Sequence, residues 1–145
     1  MPITYHAEDI ALPGIKRRDV SAWIKKVAIS HGKKVNEIAY IFCSDEKILE
    51  VNSQYLEHNY YTDIITFDYS EDNKISGDLF ISLDTVRSNS EQFDTKFVEE
   101  LHRVIIHGVL HLCGFKDKSP EEELDMRRRE DEALSLIRAK LLETD

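Results

Sequence analysis

The chain has 145 residues, 41% of them hydrophobic and 32% charged, with 5 glycines and 3 prolines; this suits one domain with a packed core and excludes a disordered or fibrous protein. Its net charge of −9 argues against wrapping long nucleic acid, because phosphate affinity is carried by lysine and arginine, and no apolar run approaches the ~20 residues of a membrane span. Residues 1–14 lack the basic stretch and apolar run of a secretory signal, so a cytoplasmic location with no membrane partner is expected, with Cys43 and Cys113 as reduced thiols.

Residues 3–6 read as a short first strand, and residues 15–31 carry Val20, Trp23, Ile24, Val27 and Ala28 at helical spacing. The cations gather here: residues 1–34 sum to +4 and the remainder to −13. Lys16, Arg17, Arg18, Lys25 and Lys26 therefore form either a basic patch that docks RNA or an ordinary solvated helix face. Residues 37–43 predict a second strand through Ile38, Tyr40, Ile41 and Phe42, after which Asp45 caps a helix striped by Ile48, Leu49, Val51, Asn52 and Tyr55. A third strand over 63–69, a turn at Asp72-Asn73-Lys74, a fourth strand over 77–83 and a short helix over 84–92 follow.

Residues 94–113 predict a long helix that is apolar around much of its circumference and hence buried. Gly114 is placed as the left-handed residue that closes it, with Phe115 as the accompanying hydrophobic contact. Ser119, Pro120 and Glu122 then supply an N-cap, a first helical position and a capping box for a final helix running to about residue 142.

On the long helix His107 and His111 stand four apart, so their imidazoles project from one face, one turn above the other. Gly114 lets the chain reverse three residues later, and Asp117 can fold back beside the two rings. Two imidazoles and a carboxylate hold a tetrahedral zinc with its fourth position open to water, the mark of a catalytic site; otherwise Asp117 is an ordinary turn acid. In the peptidase motif HExxH the residue after the first histidine is the general-base glutamate. Here it is Gly108, which counts against peptide hydrolysis and allows close approach by substrate or a neighbouring strand. Glu100 and Arg103, one or two turns upstream on the face of His107, either support the ligands from behind or form a simple ion pair.

The run from His107 to Asp117 resembles the YbeY endoribonuclease signature HGxLHLxGYDH. Thr62-Asp63-Ile64-Ile65-Thr66-Phe67 is similar to that family's PTDVLSF strand, and Gly77-Asp78-Leu79 to its GD[IL] strand, with order and spacing in agreement over about residues 35–135. The resemblance implies a single α+β domain spanning residues 1–145, with a mixed four-stranded sheet, about five helices, and one zinc ion held on the penultimate long helix and its following turn. It implies a single-strand-specific endoribonuclease that matures and surveys ribosomal RNA, processing the small-subunit 3′ end, with precursor RNA and the small ribosomal subunit as partners.

Two positions depart from the pattern: Asp117 stands where the family has its third metal histidine, and Leu56 stands where an arginine commonly follows Tyr55. Read with one inserted residue, Asp117 would match the family's aspartate and Lys118 its final histidine. An ammonium of unperturbed pKa about 10.4 has no lone pair near neutral pH, so the ungapped reading is preferred. Zinc would polarise a phosphoryl oxygen and acidify its bound water to a pKa of roughly 7; no general base is assigned. A non-catalytic ribosome-assembly factor with a structural zinc and a zinc peptidase are the competing readings.

Overall fold

A computed structural model describes residues 2–56 and 62–144, without the side chains of residues 56 and 142–144; the predicted departure at Leu56 therefore lies outside the described side chains. Strands β1 (Ile3–Ala7), β2 (Lys34–Cys43), β3 (Ile64–Asp68) and β4 (Lys74–Ser82) form one sheet in the order β1-β2-β4-β3. The first two pairings are parallel and β3 runs antiparallel to β4, which makes the sheet mixed, as the resemblance implies. Asp72, with φ of 55°, turns the β3–β4 hairpin through a left-handed conformation that aspartate tolerates better than most residues.

β2 and β4 start at Lys34 and Lys74, three residues earlier than expected in each case. Lys34 pairs with Lys74 and Val35 with Ile75, so the hydrogen-bond ladder extends past the buried stretch, where side-chain alternation gives no signal.

Among the described residues there are six helices: α1 (Arg17–Ser30), α2 (Asp45–Leu56), α3 (Leu83–Gln92) and α4 (Phe97–Leu112), which pack on the sheet, and α5 (Pro120–Ser135) and α6 (Arg138–Thr144), which pack on α4. The larger core joins α1, α4, α5 and α6 to sheet residues Ile38, Tyr40, Phe42, Ile75, Leu79 and Ile81. A smaller core of Cys43, Ile48, Val51 and Ile65, with Phe67 and Phe80 against it, sits under α2. The cap of α2 is Ser44 rather than Asp45: the Lys47 N–H donates to Ser44 Oγ at 3.2 Å. Asp45 instead ties α2 to the end of β4, accepting from Ser82 Oγ at 2.6 Å and from Thr85 Oγ1.

The expected single final helix is two. At Leu136 and Ile137 the N–H groups reach back three residues to Ala133 and Leu134, and Ser135 Oγ donates to the Glu132 carbonyl; the chain tightens and restarts as α6. α4 is consequently third from the end of the chain, not penultimate.

α4 is buried around most of its girth, from Glu100 to Leu112. A Cβ at Gly108 would lie 2.9 Å from Ile64 Cδ1 and 3.2 Å from Leu79 Cδ1, so glycine is what lets α4 press against β3 and β4. The close approach expected at Gly108 is thus made by the sheet. Both thiols are free, and burial pushes Cys43 up to about 12 and Cys113 up to about 11, the behaviour of packing residues.

Candidate functional site

α4 ends in a Schellman turn. The Gly114 N–H donates to the His111 carbonyl at 2.9 Å and the Phe115 N–H to the Leu110 carbonyl at 3.1 Å, with Gly114 at φ 104°. Phe115 is pinned by the edge of the His31 ring at 4.9 Å and by the Arg129 guanidinium 3.9 Å above it. The reversal carries Asp117 back over the exposed end of the histidine face. Its Oδ2 lies 3.2 Å from His107 Nε2 and 3.4 Å from His111 Nε2, and the two nitrogens are 3.0 Å apart.

These separations test the donor set. Ligands about 2.0–2.1 Å from a tetrahedral ion are about 3.3 Å from one another. The three atoms already stand at that spacing, so the residues could hold a metal ion with little rearrangement.

The opposite nitrogen of His107 fixes which atom faces the cluster. Nδ1 donates to Glu130 Oε2 at 2.6 Å, since an ionised carboxylate can only accept, and Nε2 is left toward Asp117 and His111. Glu130, 5% exposed, is balanced in turn by Arg103, whose NH1 donates to Glu130 Oε1 at 2.9 Å and whose NH2 donates to Asp131 at 2.6 Å. Burial alone would push the His107 imidazole down, but the hydrogen bond and charge of Glu130, with Asp117 and Asp63, move it up.

Of the two supporting residues expected, Arg103 reaches the site through Glu130. Glu100 is buried behind it, its carboxyl raised by burial against the opposing charges of Arg103 and Arg127. Glu130 itself escaped the sequence reading. The signal was present: with Met126, Ala133, Leu134 and Ile137 it lies on the buried stripe of the C-terminal helices, where a carboxylate is out of place unless paired.

The cluster opens into a cleft of about 460 Å³ lined also by Asn52 of α2, by Thr62 and Asp63, and by Ile64, Ile65, Thr66 and Asp68 of β3. Burial raises the Asp63 carboxyl, with the charge of His107 opposing. No lysine or arginine among the described residues lines the cleft.

The basic patch lies at the other sheet edge and is divided. Arg17, Arg18 and Lys25 border an apolar groove beside β1, with Ile3, Tyr5 and Ala22 in its floor, whereas Lys26 faces a separate small cleft with Asp19 and Lys140. Lys16 is the exposed residue at the start of α1. None of the five cations lines the cleft of the histidines. Among the described residues, no helix is long and apolar enough to cross a membrane.

A family model described as Endoribonuclease YbeY matches residues 4–138 of the chain. A protein of that name from Parabacteroides distasonis is 66% identical over 137 residues, spanning 94% of this chain and 96% of the relative. One from Bacteroides fragilis is 63% identical over 136 residues, spanning 94% and 98%. The solution structure of a Thermotoga maritima protein matches with a TM-score of 0.64 and 23% identity, over 95% of this chain and 93% of that one, a likeness of fold.

Proposed function

The chain belongs to the endoribonuclease YbeY family, and from that premise we propose that residues 1–145 act as one metal-dependent domain that cleaves single-stranded RNA during ribosomal RNA maturation. The observation that carries the reading is the convergence of His107 Nε2, His111 Nε2 and an Asp117 oxygen at a cleft of about 460 Å³. Two imidazoles and one carboxylate suit zinc, one ion per chain. The small-subunit RNA 3′ end and its precursor are the proposed substrates, the small ribosomal subunit the partner, and the cytoplasm the location. Lys16, Arg17, Arg18, Lys25 and Lys26 form the proposed contact for flanking RNA.

His107, His111 and Asp117 would hold a divalent ion, which when bound would supply positive charge for a phosphoryl group and acidify water. The chain's own groups do the rest. Glu130 holds the His107 ring in one tautomer and orientation, and Arg103 holds Glu130 in place. Asp63 faces the cleft outside the donor cluster, and with its carboxyl raised by burial it is the group placed to take up a proton there.

A peptidase finds no support in this geometry, because position 108, where its base would stand, is packed against Ile64 and Leu79. The deciding experiment incubates zinc-loaded protein with precursor ribosomal RNA and with a casein digest, beside a His107→Ala control. Cleavage of RNA only by the wild type is expected. Activity that survives in the control, or hydrolysis of peptide instead of RNA, would overturn the reading.

A further inference from the structure

The wall of the cleft opposite α4 is the free edge of β3. The Asp63 carbonyl accepts from the Ser82 N–H, and the Tyr69 N–H donates to the Ser76 carbonyl. With Ile65 opposite Phe80 and Phe67 opposite Asp78, the odd-numbered residues bond to β4, and the backbone N–H and C=O groups of Thr66 and Asp68 turn outward into the cleft. Phe67 lies between them with its side chain on the α2 face. There it carries Tyr55: the two rings meet edge to face at 6.0 Å and 85°, and Phe67 meets Phe80 in the same way at 5.9 Å and 83°.

Tyr55 is 63% exposed, one helical turn beyond Asn52, which lines the cleft. Its ring is thus anchored at the rim by a ladder of aromatic contacts while most of its surface stays in solvent. The ionisable chemistry of the cleft points the same way. Asp63, Asp68 and Asp117 line it and no cation does among the described residues, so phosphates gain nothing from its side chains. A nucleobase, which has a π-face whatever its identity, can bind such a rim by stacking.

We propose that Tyr55 is a positioning residue that stacks on an unpaired nucleobase of RNA lying along β3, with the outward amides of Thr66 and Asp68 meeting base edges. This rests on the ribonuclease reading and gives that reading a source of selectivity: a base inside a duplex is already stacked and cannot reach Tyr55.

The test is stopped-flow anisotropy of a fluorescein-labelled oligouridylate with the full-length zinc-loaded protein, read before turnover. Tyr55→Ala weakens binding roughly tenfold, as expected for loss of one base–aromatic stack, while Tyr55→Phe stays within about twofold of wild type. Against a strand of the same length made wholly of abasic sites, wild type and Tyr55→Ala bind alike, a result that a merely structural role for the ring would not produce. Unchanged oligouridylate binding by Tyr55→Ala, or an equal loss against the abasic strand, would overturn the proposal. A wild type that binds the oligouridylate without cutting it removes the ribonuclease reading and leaves the stacking contact standing.

Discussion

The two edges of the sheet lie about 14 Å apart, three strand spacings, and carry opposite chemistry. Beside β3 are two histidines and three carboxylates, with no lysine or arginine among the described residues; beside β1 are Arg17, Arg18 and Lys25. A polyanion approaching the bare chain is attracted at the β1 edge and repelled at the β3 edge. A bound divalent ion would offset two of the three negative charges at the second edge without altering the first. Three of the chain's 28 acidic residues line the β3 cleft, so a bound metal would change the charge of this edge while the rest of the surface stays acidic.

The largest effect comes from removing the metal that offsets those charges. His111→Ala and Asp117→Ala should each fall from about one zinc per chain to near none by elemental analysis, and RNA cleavage should drop on the order of a thousandfold, the rate equivalent of several kcal/mol of lost charge stabilisation. Lys118→Ala should retain both metal and activity. If Asp117→Ala keeps its zinc and Lys118→Ala loses it, the ligand assignment is wrong.

Next in size is a change beside the donor cluster that leaves the metal in place. Asp63→Asn should lower kcat about a hundredfold, the usual range for loss of a positioned proton acceptor, with zinc content unchanged and the acid limb of the pH–rate profile gone. A profile that keeps its acid limb would move the proton to another group.

How much of this was legible follows from which interactions are local. The α4 helix, its Gly114 closure and the Ser119 capping box rest on contacts within a few residues; α4 starts at Phe97, three residues later than read, because Asp94 turns the chain at φ 54°, while the closure and the capping box stand as read, with Glu122 N–H donating to Ser119 Oγ at 3.1 Å and Ser119 N–H donating to Glu122 Oε1 at 3.0 Å. The convergence of Asp117 on the histidines was readable for the same reason, since a single reversal brings it there. Glu130 was not, because its partner lies 23 residues away in sequence; only packing of α5 against α4 brings the two together. Ser44 was passed over as cap in favour of its neighbour Asp45, whose role in joining α2 to Ser82 and Thr85 depends on tertiary structure. The break at Leu136 leaves the apolar stripe unbroken, so periodicity could not show it.

Glu130→Gln sharpens the comparison by weakening the β3 edge one layer behind its ligands. It should cost 10–100-fold in zinc affinity by competition with a chelator, the usual consequence of removing a carboxylate behind a metal histidine. Glu130→Leu should in addition lower stability, by less than the about 3–5 kcal/mol of a wholly unpaired buried charge, because the buried Arg103 loses its inner partner but keeps Asp131. Equal zinc affinity in wild type and Glu130→Gln would show that the carboxylate serves only the fold.

The smallest effect belongs to the β1 edge, and it separates docking from chemistry. No described carboxylate lies within ion-pair distance of Arg17, Arg18 or Lys25, while Arg103, Arg128, Arg129 and Arg138 all have one, so these three cations are free to release counterions when RNA arrives. Each phosphate contact to a single strand adds about 0.7 to the slope of log affinity against log salt. A triple Arg17→Ala, Arg18→Ala, Lys25→Ala variant should therefore bind precursor RNA several-fold more weakly at low salt, with the slope reduced by up to about 2. Its cleavage of a short oligonucleotide that fills only the cleft should not change, because that strand never reaches the far edge. A salt slope equal to that of wild type would mean that the patch is a solvated helix face. Loss of short-oligonucleotide cleavage would mean instead that the two edges are not independent.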